Sequence, residues 1–259
     1  MDDILKNKVI VITRDKAQAI ESINQLESHG AVVIPFPTIK IAPLDDYSEF
    51  DYYANRLSSF DYLIFTSANA VKYTVQRLND LGILIPIDIL IAAVGKKTAY
   101  ECSKYKITVI ITPRDYSASG LLEHFRKKDI SERFFFIPCS VIARDELSEG
   151  LEELGGVVKK TPVYNVTTPS IQELQPNFHM LNQQKPDLFI FTSPSTFENY
   201  IAINNIEEPE KYFRSYNIAA IGKVTEETIK SYNINVDIVP EESTMDTLIE
   251  EIKEFYKDK

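Results

Sequence analysis

Residues that commonly hold metals or form disulfides are few in this chain. It contains two cysteines and three histidines among 259 residues. Cys102 and Cys139 lack metal-ligand spacing and sit in apolar surroundings, which predicts two buried free thiols. The histidines are scattered and have no pattern of acids or cysteines beside them. We therefore predict no metal site.

Long apolar runs are also scarce, and the 28 basic residues are fewer than the 38 acidic ones. No run reaches the roughly 18 to 20 residues of a membrane span. The opening Met1-Asp2-Asp3 is acidic, unlike the basic start of a signal peptide, so we predict a cytoplasmic location. The net charge of -10 argues against nucleic acid or an anionic membrane as the main partner, because neither would be attracted over long range. The net charge does not exclude a small anionic ligand, because a local patch of amides and a few cations can outweigh the distant field within a Debye length of about 8 Å.

Recognised catalytic and nucleotide-binding motifs are missing too. No Ser-His-Asp, Cys-His or paired-carboxylate arrangement stands out. Neither G-x-G-x-x-G nor G-x-x-x-x-G-K-[ST] occurs, so dinucleotide and Walker-type sites are unsupported. The length allows one large or two ordinary domains, and 44% hydrophobic with 25% charged residues is typical of a globular protein.

The chain does contain an internal repeat. The stretch 61–71, with Phe65-Thr66-Ser67 at its centre, recurs about 126 residues later at 187–197. A second stretch, 91–98, recurs at 218–225 in the same order. Such self-similarity predicts an internal duplication.

Strands and helices are predicted to alternate within each copy. Uninterrupted apolar runs such as 62–65 and 188–191 indicate strands buried on both faces. After each run, apolar residues recur at the spacing of an α-helix. Further strands are predicted at 108–111 and 236–239. This alternation predicts parallel sheets covered by helices, and therefore an α/β fold with two doubly wound lobes.

Two extended segments, 37–44 and 162–169, join the early and late halves of the repeats. They contain proline and β-branched residues and have no helical period. They can be loops inside two sequential domains. Alternatively, they cross between lobes, so that each lobe takes the early half of one repeat and the late half of the other. The sequence permits both arrangements.

The shared motifs fall where open parallel sheets bind ligands, beyond the carboxyl ends of strands and at helix N-termini. Hydroxyls, small residues and cations at these places suit carboxylate or phosphate groups. Some of these residues also suit local structure, as helix caps or tight turns, and their repetition in both halves favours a ligand. The predicted contacts are Thr13, Arg14, Thr66, Ser67, Asn69, Gly95, Thr98, Ser193, Pro194, Ser195, Gly222, Lys223 and Thr225.

The ordered set of motifs resembles the uroporphyrinogen-III synthase family. The matching pieces include Thr13-Arg14, Phe65-Thr66-Ser67-Ala68-Asn69, Ala93-Val94-Gly95, Ser119-Gly120-Leu121, Arg144, Pro162-Val163-Tyr164, Phe191-Thr192-Ser193-Pro194-Ser195 and Ala220-Ile221-Gly222. They span nearly the whole chain. The resemblance adds Ser119 and Arg144 to the predicted substrate contacts. It implies the crossed arrangement, with one lobe of 1–38 plus 167–259, the other of 39–166, two extended connections and an active-site cleft between the lobes.

The resemblance also implies an activity. The family closes linear hydroxymethylbilane with loss of water and inverts the last pyrrole ring, giving uroporphyrinogen III. Backbone amides and hydroxyls would hold the eight substrate carboxylates without cofactor or metal. Tyr164, which matches the family's tyrosine, would be the catalytic acid that assists departure of the hydroxyl. A monomer is expected, and it would receive its substrate from the preceding enzyme of the pathway.

Two rival functions are consistent with a two-lobed α/β protein. One is a non-catalytic binder of a small polycarboxylate, which needs the helix N-termini but has no need of Tyr164. The other is a sugar-nucleotide transferase, for which the sequence has no evident diphosphate or metal site. Neither rival predicts the ordered set of matching motifs.

Overall fold

The computed structural model describes residues 3–257, so the acidic Met1 and Asp2 lie outside the described residues. Within this range the chain forms two compact units. Unit 1 consists of residues 3–40 and 167–257, and unit 2 consists of Ile41–Val166. Each unit is built around one sheet.

The elements of secondary structure alternate between strands and helices along most of the chain. In order, they are β1 (Val9–Ile12), α1 (Lys16–Ser28), β2 (Val32–Pro35), β3 (Lys40–Ala42), α2 (Ser48–Ala54), a 3-10 turn (Leu57–Ser59), β4 (Tyr62–Phe65), α3 (Ala68–Asp80), β5 (Leu90–Ala93), α4 (Lys96–Lys104), α5 (Ala118–Phe125), β6 (Phe134–Ser140), α6 (Glu146–Glu153), β7 (Val157–Thr167), α7 (Ile171–Gln183), β8 (Leu188–Phe191), α8 (Pro194–Ile203), α9 (Pro209–Phe213), β9 (Asn217–Ala220), α10 (Lys223–Lys230) and α11 (Met245–Lys257).

Unit 1 contains a four-stranded sheet in the order β2-β1-β8-β9, with parallel pairing throughout. Its strands are buried on both faces because successive apolar side chains point to opposite sides. Ile10 packs with Leu248 of α11 on one face. Val11 packs with Phe197 of α8 on the other face. Both faces of this sheet are therefore covered by helices.

Unit 2 contains a five-stranded sheet in the order β3-β7-β6-β4-β5. The strands β7, β6, β4 and β5 pair in parallel. Phe65 packs with Val71 of α3 on one face, whereas Ile64 packs with Leu121 of α5 on the other. The predicted α/β class with parallel sheets and covering helices is confirmed.

The two sheets have corresponding strand orders. In unit 1 the parallel pair β2-β1 is followed by β8-β9. In unit 2 the parallel pair β7-β6 is followed by β4-β5 in the same way. The matching β4 and β8 are the strands that precede the repeated Thr-Ser motifs. Each sheet thus combines strands from both sequence repeats.

Two predicted strands are reduced to single bridges. The segment 108–111 pairs with the sheet only through Ile111 and Ala92, and 236–239 only through Ile238 and Ala219. Each lies outside the last regular strand of its sheet, where pairing is available on one side only. The exposure of Ile110, at 55%, shows how little of this edge is covered.

The sequence pattern does not predict helix α7, although the segment contains a signal for the start of a helix. Ser170 is its N-cap, and Ser170 with Glu173 forms a capping box. Pro176 lies inside the helix, and it obscures the helical pattern in the sequence because proline usually ends a helix. Within residues 3–257, none of the helices combines the length and apolar character needed to cross a membrane.

Candidate active site

Three helices of unit 2 begin just beyond the carboxyl ends of strands. Helix α3 follows β4 and has Ser67 as N-cap, and α4 follows β5 and has Gly95 as N-cap. Helix α5 follows the bridge at Ile111 and has Ser117 as N-cap. The first N–H groups of a helix have no intrahelical partner, and the positive end of the helix dipole lies there. This edge of unit 2 therefore favours anionic groups such as carboxylates.

Tyr164 lies at the N-terminus of α3. Its phenol oxygen is 3.1 Å from Ser67 Oγ, and the two hydroxyls share a hydrogen bond. Ser67 Oγ also accepts the backbone N–H of Ala70 at 3.1 Å. When Ser67 donates its proton to Tyr164, the phenol proton remains available to a ligand. The structure thus brings together the predicted acid and a predicted substrate contact.

Two features hold Tyr164 in this place. The register of β7 shifts beside it, since Cys139 pairs with Pro162 but the next residue, Ser140, pairs with Tyr164. Such a bulge re-aims a side chain at the end of a strand. The Tyr164 ring stacks on Tyr73, with centroids 5.5 Å apart, and only 6% of Tyr164 is exposed. The phenol is therefore held in one orientation before any ligand binds.

A cavity of about 520 Å³ opens at the carboxyl end of β6. Thr66 lines it from the end of β4, Ser119 from the first turn of α5, and Arg144 from the segment before α6. Arg144 and Lys160 bring positive charge to the lining, and Glu146 brings one carboxylate. Hydroxyls and a guanidinium are suitable partners for a carboxylate ligand. Three predicted contacts of unit 2 therefore meet at one cavity.

Unit 1 has similar helix N-termini. Ser193 is the N-cap of α8, and Pro194 is the first helical residue. Ser193 forms a capping box with Thr196, and its Oγ lies 3.0 Å from Oγ of the exposed Ser195. These residues serve as caps, and the serine hydroxyls are also well placed for a ligand at the end of β8.

Helix α10 begins beyond β9. Its N-cap is Gly222, and its first residue is the exposed Lys223. Thr225 in the same turn is only 3% exposed, as its counterpart Thr98 in α4 is only 5% exposed. Both threonine side chains therefore pack within the first turn of their helices. Asn69, in the first turn of α3, is half-buried.

Thr13 and Arg14 follow β1 and differ in their surroundings. Thr13 is fully buried and donates its hydroxyl to the carbonyl of Ile190 at 2.9 Å. Arg14 is half-buried, and its Nε donates to Gln18 Oε1 at 3.0 Å. Burial lowers the pKa of Arg14 below its usual value, and the charge of Asp15 partly opposes this effect. A partly desolvated guanidinium attracts a carboxylate more strongly than one in bulk water does.

Sequence patterns missed several polar residues that line the cavity of unit 2, among them Ser117, Ser140 and Lys160. Ser117 has a local signal, since it precedes the apolar Leu121 and Leu122 at the spacing of a helix cap. Ser140 and Lys160 have no such signal. They reach the cavity through the pairing of β6 with β7.

Both cysteines are free and buried, as predicted. Burial raises the pKa of Cys102 to about 12 and that of Cys139 to about 11. At neutral pH both groups are therefore protonated thiols and poor nucleophiles. Across residues 3–257, no cluster of three or more His, Cys, Asp or Glu side chains is arranged to hold a metal ion.

Comparison with known proteins identifies the family. A family model described as uroporphyrinogen-III synthase HemD matches residues 21–250. Uroporphyrinogen-III synthase of Chlorobaculum parvum is 30% identical over 240 residues, which cover 90% of this chain and 93% of that protein. The Synechococcus elongatus enzyme of the same name is 29% identical over 255 residues, covering 97% of this chain and 96% of its own length.

Two solved structures have the same fold. A mutant uroporphyrinogen III synthase from Thermus thermophilus superposes with a TM-score of 0.67 at 14% identity, covering 97% of this chain and 100% of that chain. The Helicobacter pylori enzyme has a TM-score of 0.60 at 18% identity, covering 96% of this chain and 99% of that chain. The family match spans most of the sequence, and the predicted resemblance is confirmed. This chain belongs to the uroporphyrinogen-III synthase family.

Proposed function

We propose that this protein closes hydroxymethylbilane to uroporphyrinogen III, with loss of water and inversion of the last pyrrole ring. The observation that carries the proposal, beside the family, is the hydrogen bond of 3.1 Å between Tyr164 and Ser67 at the N-terminus of α3. A protein that only binds a polycarboxylate has no use for a phenol held in this way. An enzyme that must protonate a departing hydroxyl does.

Tyr164 would act in the first chemical step. Its phenol transfers its proton to the hydroxyl of the substrate's terminal hydroxymethyl group as the C–O bond breaks, which leaves Tyr164 as a phenolate. Water leaves, and the positive charge that remains is delocalised into the first pyrrole ring as an azafulvene cation. The substituted carbon of the last ring then attacks this cation to form a spiro intermediate. That intermediate fragments and recloses with the last ring reversed, and the proton released on reclosure restores the Tyr164 phenol.

Substrate binding would rely on charge complementarity at the strand ends. The helix N-termini of both units present backbone N–H groups, and hydroxyls at Ser67, Ser193 and Ser195 lie beside them. Arg14 and Arg144 supply cations in units 1 and 2, respectively. We propose that each set of groups contacts substrate carboxylates. Because the bilane closes without help to the unreversed isomer, positioning contributes more than acid strength.

The test is the identity of the product isomer. Freshly generated hydroxymethylbilane is supplied with and without the protein, and the oxidised uroporphyrins are separated by chromatography. We expect the protein to shift the product from the type I to the type III isomer. Type I product alone, obtained with protein shown to be folded by circular dichroism, would contradict the proposal and favour a non-catalytic binder.

The location and assembly of the protein are separate proposals. We propose a cytoplasmic monomer that needs no cofactor or metal and receives its substrate from the preceding enzyme of the pathway. Cell fractionation tests the location, and light scattering coupled to size exclusion tests the monomer. Full activity after dialysis against a chelator would support independence from metals.

A further inference from the structure

The segment that precedes α6 is weakly held by packing. Residues 141–145 have no regular structure and connect β6 to α6. Val141 and Ile142 are 52% and 65% exposed, so apolar burial does little to fix them. The N-cap of α6, Asp145, makes no side-chain capping bond. The backbone N–H groups of Val141 and Ala143 bond to Tyr164 O and Ser140 O, each at 3.1 Å, and restrain the start of the segment. At its end, Ser148 Oγ donates to Asp145 O at 2.8 Å.

The ammonium group of Lys160 ties down the rest of this segment. Its Nζ donates to Ala143 O at 2.8 Å, to Arg144 O at 3.2 Å and to Asp145 Oδ1 at 2.5 Å. A lysine ammonium has three protons to donate, so the three acceptors on these successive residues use all of its hydrogen-bond donors. The Lys160 side chain is only 20% exposed. It therefore acts as a fixed clamp rather than as a mobile surface charge.

The clamp connects two parts of the candidate site. Lys160 belongs to β7, where it pairs with Ile137, and it lies four residues before Tyr164 on the same strand. The clamped segment contains Arg144, which lines the cavity of about 520 Å³ together with Lys160 itself. Arg144 is exposed, and within residues 3–257 its side chain forms no ion pair. Its guanidinium is thus available to a ligand, provided that its backbone stays in place.

We propose that Lys160 is a positioning residue for substrate binding. It holds the backbone of residues 143–145 so that the Arg144 guanidinium meets a substrate carboxylate. This inference rests on the proposed function. Because all three ammonium protons bond to the segment, Lys160 acts through Arg144 and does not itself bind the substrate. Its loss should weaken substrate binding while leaving the acid chemistry at Tyr164 intact.

The principal test replaces Lys160 by methionine, which keeps the apolar stem and removes every donor. We expect Lys160→Met to raise KM for hydroxymethylbilane about 10-fold, the lower range for a charge-assisted contact, with kcat changed less than about twofold. Lys159→Met is the matched control, since Lys159 is the preceding lysine of β7 and points to the other face of the sheet. It should leave both constants unchanged. Lys160→Arg, which retains charge and several donors, should restore part of the affinity.

A double variant separates positioning from general loss of stability. If Lys160 acts through Arg144, then Arg144→Met with Lys160→Met should raise KM no more than Arg144→Met does alone. If the increase in KM in the double variant equals the product of the two single increases, the proposal is overturned. A normal KM for Lys160→Met would also overturn it.

Should Lys160→Met fail to fold, Asp145→Ala takes its place. The Asp145 side chain is 65% exposed, so this variant should fold, and a KM raised about threefold is expected from loss of one of the three bonds. An unchanged KM in that variant would overturn the proposal. Failure of the wild-type protein to form the type III isomer would instead contradict the proposed function, so the two failures are distinguishable.

Discussion

Single residues at the candidate site perform two tasks at once. Ser67 caps α3 through Ala70 and also bonds to Tyr164. Ser193 likewise caps α8 and lies within hydrogen-bond distance of Ser195. The cap and the proposed ligand contact are therefore compatible at these positions. A substitution at either serine would change helix stability as well as the proposed contact, so the clearer tests use other residues.

Tyr164 offers the clearest test of chemistry. Tyr164→Phe keeps the ring that stacks on Tyr73 and removes only the hydroxyl that bonds to Ser67. We expect kcat for formation of the type III isomer to fall about 100-fold, which is the low end for a lost general acid. Tyr73→Phe is the matched control: it keeps the stacked ring and removes a hydroxyl that bonds to Ile41 O at 3.4 Å and has no part in the proposed acid step, so it should change kcat less than about twofold. A normal rate for Tyr164→Phe would remove the proposed role.

The two repeated glycines are predicted to differ in their tolerance of a side chain. A Cβ on Gly222 would lie 2.2 Å from Ser243 Oγ and 3.2 Å from Ser243 Cβ, whereas a Cβ on Gly95 would meet only Tyr116 Cβ at 4.0 Å. Gly222→Ala should lower the free energy of unfolding by about 1 kcal/mol through overpacking. Gly95→Ala should change it by less than about 0.5 kcal/mol. Urea unfolding of both variants checks this, and equal losses would contradict the difference in packing.

The buried thiols predict a loss of stability at alkaline pH. The pKa is about 12 for Cys102 and about 11 for Cys139 in the folded protein, against 9.0 for an unperturbed thiol. Above pH 9 the unfolded chain loses thiol protons that the folded protein retains, so stability falls as pH rises. Each thiol contributes at most about 1.4 kcal/mol per pH unit between these pKa values.

The measurement is the slope of the unfolding free energy against pH. The range begins at the unperturbed thiol pKa of 9.0. It ends at about pH 10.5, below the pKa of both thiols in the folded protein. The variant with Cys102→Ala and Cys139→Ala should have a shallower slope than the wild type, whatever its absolute stability. Equal slopes would show that the thiols do not titrate differently in the two states.

At the scale of elements, a buried threonine links three segments at the strand ends of unit 1. Thr38 is fully buried, and its Oγ1 lies 3.1 Å from both Thr13 O and Thr196 O. Asn199 of α8 donates its Nδ2–H to Thr38 O, also at 3.1 Å. These bonds connect the loop after β1 with the first turn and a half of α8. They hold Ser193 and Ser195 in register with the end of β1.

Replacing Thr38 by valine tests this link. The two side chains have nearly the same shape, so Thr38→Val removes the hydrogen bond without leaving a large cavity. We expect the free energy of unfolding to fall by about 1 to 2 kcal/mol, because buried carbonyls lose their donor. Thr228→Val, in which an exposed helical hydroxyl bonded to Val224 O is lost, should cost less than about 0.5 kcal/mol. Thermal or urea unfolding that finds equal costs would contradict the link.

At the scale of the whole molecule, each unit has apolar side chains on both faces of its own sheet. Ile218 of β9 is 1% exposed within unit 1, and its repeat counterpart Ile91 of β5 is 5% exposed within unit 2. Local cores of this kind make regions of a protein open with different free energies. A cavity made in one core should therefore act mainly on that unit.

Hydrogen exchange followed by mass spectrometry tests this separation. Ile218→Ala should lower the stability of unit 1 by about 2 to 5 kcal/mol and speed amide exchange in β1, β8 and β9. Exchange in β4, β5 and β6 should stay near that of the wild type. Ile91→Ala is the reciprocal control and should reverse the pattern. Equal acceleration in both units for either variant would show that the chain unfolds as one cooperative body.

The local pattern of the sequence determined most of the fold. Runs such as 62–65 and 188–191 have no polar interruption, which is typical of a strand buried on both faces. Ser67 and Ser193 marked helix starts because their hydroxyls satisfy free N–H groups. Edge segments were less predictable, since 108–111 and 236–239 have strand-like residues but make single bridges where only one neighbour exists.

Contacts between distant residues were decided only by the tertiary structure. The approach of Tyr164 to Ser67, 97 residues apart, depends on the order of strands in the sheet of unit 2 and on the bulge in β7. The clamp of Lys160 on Ala143, Arg144 and Asp145 likewise requires the pairing of β6 with β7. Periodicity encodes which side of an element is buried, because that follows from local geometry. It does not encode which elements become neighbours, so the sequence alone determined most of the strands, helices and caps, and the packing of those elements determined the candidate site.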